Sequence, residues 1–288
     1  MEKLRTFKIQ CGSNILDLTS RTHIMGILNI TPDSFSDGGK FLQPGQAIEH
    51  GLRMVEEGVD IIDIGAESTR PGAEPVSVEE ELRRLLPVLE GLLKRVDIPI
   101  SIDTYKASVA ETVLKTGASM INDISGLRFD NRMKDVVAKY QVPIIIMHIK
   151  GEPRNMQQNP YYDDLIGEIY EYLAASIHLA VKTGIARNNI IIDPGIGFGK
   201  RLQDNFEILK RLSEFQGLGC PILIGPSRKS FIGKVLDLSP DQRLEGTLAA
   251  VTIGIQNGAH IVRVHDVKQV SRACHIIDLL VGKTSIAD

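Results

Sequence analysis

Seven residues of this chain are of types that a packed core does not choose: Asn29, Asp103, Asn122, Asp193, Lys229, Arg263 and His265. Each closes or follows a short run rich in Ile and Val, and Glu67 and His148 end two of those runs as well. Carboxylates and amides accept parallel N–H bonds from a flat heterocycle such as an amino-pyrimidinone, and a lysine donates to its ring carbonyl. Arginine, histidine and the hydroxyl of Ser227, on the last two runs, suit a phosphate-like anion. The residue types therefore ask for two adjoining subsites, a cup for a ring and a rim for an anion.

Such a constellation needs a frame, and the chain supplies eight candidate strands. They are HIMGILN (23–29), DIIDIGAE (60–67), IPISIDT (98–104), SMINDIS (119–125), VPIIIMHI (142–149), NIIIDPG (189–195), PILIGPS (221–227) and AHIVRVHD (259–266). Near-continuous Ile and Val suit strands covered on both faces, as in a parallel sheet with helical crossovers. Amphipathic stretches lie between them, and several end in Gly shortly before the next strand. Pro87 falls inside the second of these helices, where a kink is expected.

Eight strand-helix units predict an α/β fold, a (β/α)8 TIM barrel, in preference to an open doubly wound sheet. Residues 7–18, FKIQCGSNILDL, read as a β-hairpin under the bottom of the barrel. The expected organisation is a single domain over 1–288, with the hairpin within 1–20 and the barrel over about 21–282.

In such a barrel the chemistry sits at the C-terminal strand ends. Alternation sharpens the choice: if Asp103 faces the axis so does Ser101, while Asp193 shares a face with Ile191 and Arg263 with His265. Asp123, next to Asn122, points the other way and is expected to be structural. Two long loops, 30–43 and 68–78, exceed the roughly 2–6 residues of most such connections. They are expected to be lids or binding loops: the first strands Phe35 among polar residues, and the second offers Ser68, Thr69 and Arg70 to a polar substrate edge. GIGFGK (195–200) lacks phosphate-loop spacing and reads as a shaped turn that brings Phe198 to a ligand. In GPSRKS two cations open a helix, which calls for an anion nearby.

Composition removes other classes. Net charge is −3 with scattered basic residues, which argues against nucleic acid or an anionic membrane as a partner. Cys11, Cys220 and Cys274 are few and far apart, so neither a disulfide framework nor a thiolate metal site is expected. No signal-like N-terminus or membrane-length apolar run is evident, and the expected location is the cytoplasm.

The segments GILNITPDSFSDGG, DIGAESTRPGA, SIDT, INDISGL, IIDPGIGFGK, SRKSFIG and RVHDV, in that order, resemble those of the dihydropteroate synthase family of pterin-binding barrels. The resemblance spans about residues 23–270. It implies condensation of 6-hydroxymethyl-7,8-dihydropterin diphosphate with 4-aminobenzoate, giving 7,8-dihydropteroate and diphosphate in folate synthesis. By resemblance, Asp103, Asn122, Asp193 and Lys229 hold the pterin, with Met147 and Arg263 walling the ring. Asn29 would ligate Mg2+ on the diphosphate, which Arg263 and His265 would bind. Thr69, Arg70, Pro71, Phe198, Lys229 and Ser230 would meet the aminobenzoate, with Phe35 closing over it. The family usually forms homodimers. Ala66, Pro226 and His260 depart from residues common in the family, and none is a proposed ligand.

Two rivals remain on residues alone. A methyl-folate methyltransferase would share the pterin cup but should lack TPDSFSDGG and SRKS. A binding paralogue without turnover would be expected to have lost some of Asn29, Asp103, Lys229, Arg263 and His265.

Overall fold

The structure, a computed structural model, describes residues 6–31, 44–69 and 72–285. The chain opens with an antiparallel hairpin, β1 (Lys8–Cys11) and β2 (Asn14–Asp17). Eight parallel strands follow: β3 (His23–Asn29), β4 (Ile61–Gly65), β5 (Ile100–Asp103), β6 (Met120–Asp123), β7 (Ile144–Met147), β8 (Ile190–Asp193), β9 (Leu223–Ile224) and β10 (Ile261–Val264). They run in spatial order β8-β7-β6-β5-β4-β3-β10-β9, and a parallel bridge between Ile192 and Ile222 closes the ring. Each expected run holds one strand, so the barrel reading is correct.

The helices lie outside: α1 (Pro44–Glu56), α2 (Val78–Leu93), α3 (Ala107–Thr116), α4 (Met133–Tyr140), α5 (Leu165–Thr183), α6 (Leu202–Lys210), α7 (Ser230–Leu236), α8 (Leu244–Gln256) and α9 (Val267–Leu280). Local chemistry fixes their ends. Ser77 caps α2 by accepting from the Glu80 amide at 3.2 Å, and Glu79, Glu80 and Glu81 complement the dipole there. Despite Pro87, α2 runs on to Leu93.

Strand parity divides the core in two. Outward positions such as Ile62, Ile64, Ile100, Ile102, Ile144 and Ile146 pack against helix residues Leu89, Val113 and Leu173. Inward positions Met25, Ile61, Met120, Ile145, Ile191, Leu223 and Ile261 form a separate apolar layer inside the barrel. The hairpin seals that layer from below with Ile9, Cys11, Leu16 and Leu18, and truncating one such buried leucine to alanine costs about 2–5 kcal/mol. The lower barrel interior is thereby largely apolar, and the polar inward positions other than His23 gather toward the opposite end.

Candidate active site

Toward the C-terminal ends of β3, β4, β5, β6, β8 and β10 the inward residues become polar. Register sets Asn29 beside Gly65, Gly65 beside Asp103, and Asp103 beside Asn122. On the far side Met147 pairs with Asp193, and Arg263 pairs with Met25 across the β10–β3 seam. Gly65 opens the space between its neighbours: a Cβ there would lie 3.4 Å from Asn29 Oδ1 and 3.6 Å from Asp103 Cβ. These side chains share the C-terminal end of the barrel, as alternation predicts.

Arg263 organises the centre. Its Nε donates to Asp63 Oδ2 at 2.6 Å and its Nη2 to Asp103 Oδ2 at 2.7 Å. Asn122 Nδ2 donates to the same Asp63 oxygen at 3.0 Å. Burial pushes Asp103 up to about 7, against the pull of Arg263 and with the charges of Asp63, Glu81 and Asp123 adding to the rise. Asp193 is raised by burial too, although its Oδ1 accepts from the Gly195 amide at 2.7 Å.

Lys229 enters from the far wall. Its Nζ donates to Ile196 O at 2.7 Å and lies 3.9 Å from the Phe198 ring centre. Burial pushes this lysine down to about 7, with Asp193 and Asp103 resisting and Arg263 reinforcing the fall. The turn beneath it requires glycine. Gly195 (φ 72) would carry a Cβ 1.8 Å from His148 O, and Gly197 (φ 82) one 2.9 Å from Lys229 Cδ. Both would be strained as well as crowded.

Below that turn sits Lys200, only 3% exposed, whose Nζ bonds His148 Nδ1 at 2.8 Å and Phe198 O at 2.9 Å. Burial pushes Lys200 down to about 7 and, with the Lys200 charge, holds His148 well below the usual histidine range. Met147 joins Ile124, Ile149, Met156, Tyr105, Phe129 and Phe198 in an apolar wall at this end.

On the last two strands, Ser227 Oγ lies 3.0 Å from His265 Nδ1 and accepts from the His265 amide at 3.1 Å. Arg228 takes a positive φ of 56° and turns to Asp266, its Nε donating to Oδ2 at 3.0 Å. Asp266 is thus an anion for one of the two cations that open α7, and the other, Lys229, bends into the mouth. Ser230, the first residue of α7, is exposed. Ser68 and Thr69 follow β4 and are half-buried, while Phe35, Arg70 and Pro71 lie outside the described residues.

Two residues of this site escaped sequence reasoning. Asp63 is the inward residue two before Gly65, so parity could have found it. Lys200 was absorbed into a turn motif and carried no separate signal. Conversely, Glu67 anchors a loop: it accepts from Tyr105 Oη at 2.6 Å and the Val76 amide at 3.1 Å, and pairs with Lys106. Asp123 is structural as expected, accepting from the Ser125 and Leu127 amides at 2.8 Å each.

Known proteins share this sequence pattern and fold. The family model described as "Pterin binding enzyme" matches residues 25–265. The dihydropteroate synthase of Bacillus subtilis is 49% identical over 98% of this chain and 96% of its own. A Yersinia pestis dihydropteroate synthase solved as a sulfonamide drug complex superposes with a TM-score of 0.91 at 45% identity, over 96% of this chain and 99% of that one. The Xanthomonas albilineans dihydropteroate synthase with 4-aminobenzoic acid gives 0.90 at 42% identity, over 96% and 98%.

Proposed function

We infer the reaction at this mouth from kinship: the chain belongs to the pterin-binding enzyme family and, within it, to the dihydropteroate synthases. It is a transferase of folate biosynthesis that joins 6-hydroxymethyl-7,8-dihydropterin diphosphate to 4-aminobenzoate, giving 7,8-dihydropteroate and diphosphate. The observation that carries the residue assignments is the hydrogen-bonded cluster of Asp63, Asp103, Asn122 and Arg263 on inward positions above an apolar layer.

The pterin lies in the cup with its N–H groups toward Asp103, Asn122 and Asp193 and its carbonyl toward Lys229. All four are acceptors or donors of the required sense. Arg263 and Met147 wall the ring, and Ser227, Arg263 and His265 receive the diphosphate. Phe198 and Ser230 border the space for aminobenzoate. Ser68 and Thr69 of the second loop are assigned to it as well, and Arg70, Pro71 and Phe35 are assigned to it by family resemblance alone.

Asn29 offers a neutral amide oxygen at the end of β3, and among the described residues no three His, Cys, Asp or Glu side chains gather to hold a metal. One hard oxygen donor fits Mg2+ that arrives largely ligated by substrate phosphate and water. When bound, the ion would neutralise charge on the departing diphosphate.

The chemistry is substitution at the exocyclic methylene. The C–O bond loosens, diphosphate leaves with the electron pair, the aryl amine forms the new C–N bond, and the amine proton is lost. Asp103 in its ionised form stabilises positive charge developing on the ring. Arg263 and His265 stabilise the leaving anion. No covalent enzyme intermediate is needed, and excluding water from the mouth protects the cation from hydrolysis.

Two wider properties belong to this reading. Exposed Val235, Leu236, Ile253, Ile276 and Leu280 on α7, α8 and α9 support a homodimer formed through outer helices. Cys11, Cys220 and Cys274 are buried and form no disulfide among the described residues, which supports a reducing cytoplasm. Among the described residues no helix is long and apolar enough to cross a membrane.

The cup is tested by titrating 6-hydroxymethylpterin into the protein and its Asp193→Ala variant. Binding by the parent chain and its loss in the variant are expected; retained affinity would move the cup elsewhere.

A further inference from the structure

We propose that Asp63 is a positioning residue that sets the ring cup and the anion rim in register, holding the Asn122 amide oxygen toward the cup and the Arg263 guanidinium toward Asp103. The inference rests on the dihydropteroate synthase reading of the same mouth and goes beyond its assigned ligands.

Asp63 is completely buried on the inward face of β4, and its Oδ2 accepts from Arg263 Nε at 2.6 Å and Asn122 Nδ2 at 3.0 Å. An ionised carboxylate only accepts, so the Asn122 nitrogen must face Asp63 and its oxygen must face away. The amide orientation follows from that partner and needs no ligand to fix it. The cup then presents acceptors at Asp103, Asn122 and Asp193, which selects a ring edge rich in N–H groups. Reversing the Asn122 amide would set a donor against that edge.

The same oxygen restrains the arginine. With Nε on Asp63 and Nη2 on Asp103, the guanidinium is strung between two strands, and rotation about its stem breaks two charge-assisted bonds. Asp63 therefore joins a pterin ligand and a diphosphate ligand through one atom. Its Oδ1, like Ser101 Oγ on the neighbouring strand, is buried and has no hydrogen-bond partner among the described residues. A half-satisfied buried carboxylate is a poor choice for stability alone, since an apolar residue of similar volume would cost the fold less. Its effect on Arg263 and Asn122 gives it a reason to be there.

A merely structural Asp63 and a positioning Asp63 differ in coupling. The test measures dissociation constants of 6-hydroxymethylpterin and of its diphosphate for the full chain and for Asp63→Asn, alone and with Asn122→Ala, with thermal unfolding of each. Asp63→Asn should stay folded and weaken ring binding by roughly 10- to 100-fold, the range for losing a hydrogen bond to a charged group. It should also reduce the affinity gained from the diphosphate. With Asn122→Ala already present, the further loss in ring binding should shrink to about threefold or less, because two residues acting through one contact are not additive. Equal losses in both backgrounds, or unchanged constants for Asp63→Asn, would overturn the inference while leaving the synthase reading intact. If the parent chain binds neither ligand, the synthase reading falls and takes this inference with it. Should Asp63→Asn not fold, Asp63→Ser carries the same comparison.

Discussion

Arg263 and Asp103, 160 residues apart in the chain, meet at 2.7 Å across the barrel mouth through Nη2 and Oδ2. A third group, Asp63, takes the arginine's Nε at 2.6 Å. The pairing gives Arg263 a fixed plane as well as a charge. Lysine at this position would keep the charge and lose the fork. Arg263→Lys should therefore lower kcat/KM by roughly a hundredfold or more, since charge-assisted hydrogen bonds contribute about 1.5–3 kcal/mol each. Steady-state kinetics with the pterin diphosphate checks this; near-parental kcat/KM would mean that charge alone suffices.

Lys200 yields a prediction about stability. Burial holds it at about 7 against an ordinary 10.5. A lysine depressed by folding contributes stability that is present above its unfolded value and is lost as pH falls through the folded one. Stability of the parent chain relative to Lys200→Met should thus rise between about pH 7 and pH 10.5. Urea unfolding of both proteins across that window reads the difference directly. A flat difference would mean that Lys200 keeps its proton inside the fold.

Glu67 ties the second loop to α2 and α3 through Val76, Lys106 and Tyr105, and Lys106 also reaches Glu81 at 2.5 Å. Thr69 lies two residues along that loop. Glu67→Gln should raise the KM for 4-aminobenzoate by about tenfold, the scale of one charge-assisted bond, and leave the pterin diphosphate KM little changed. Equal increases in both would show that the loop serves the whole mouth.

Phe35 tests the other loop. The proposed covering role requires that Phe35→Ala impair use of aminobenzoate more than binding of pterin diphosphate. Product formation at varied aminobenzoate, alongside equilibrium binding of the pterin, separates the two. Equal losses would contradict the covering role.

Much of this was legible in the sequence because parallel barrel strands are buried on both faces and write themselves as Ile and Val runs. Their polar ends then stood out: Asn29, Asp103, Asn122, Asp193 and Arg263 all fall on strands, at inward positions. Strand lengths were less legible. In residues 221–227 only Leu223 and Ile224 form β9, because Pro221 has no amide hydrogen to donate and the Gly225–Pro226 pair ends the run. Partnership was not legible at all. Glu67 and His148 resembled mouth residues by position, yet they face a loop anchor and a buried lysine. Nothing in a single strand says that Asp63 is shared by Asn122 and Arg263; that depends on three strands meeting in register.

The central claim is condensation at the barrel mouth, and product formation tests it most directly. Purified protein is incubated with 6-hydroxymethyl-7,8-dihydropterin diphosphate, 4-aminobenzoate and Mg2+, and 7,8-dihydropteroate and diphosphate are quantified over time. Both products should appear in equal amounts, and dihydropteroate should require both substrates. No dihydropteroate, or diphosphate released without it, would rule out condensation at this mouth.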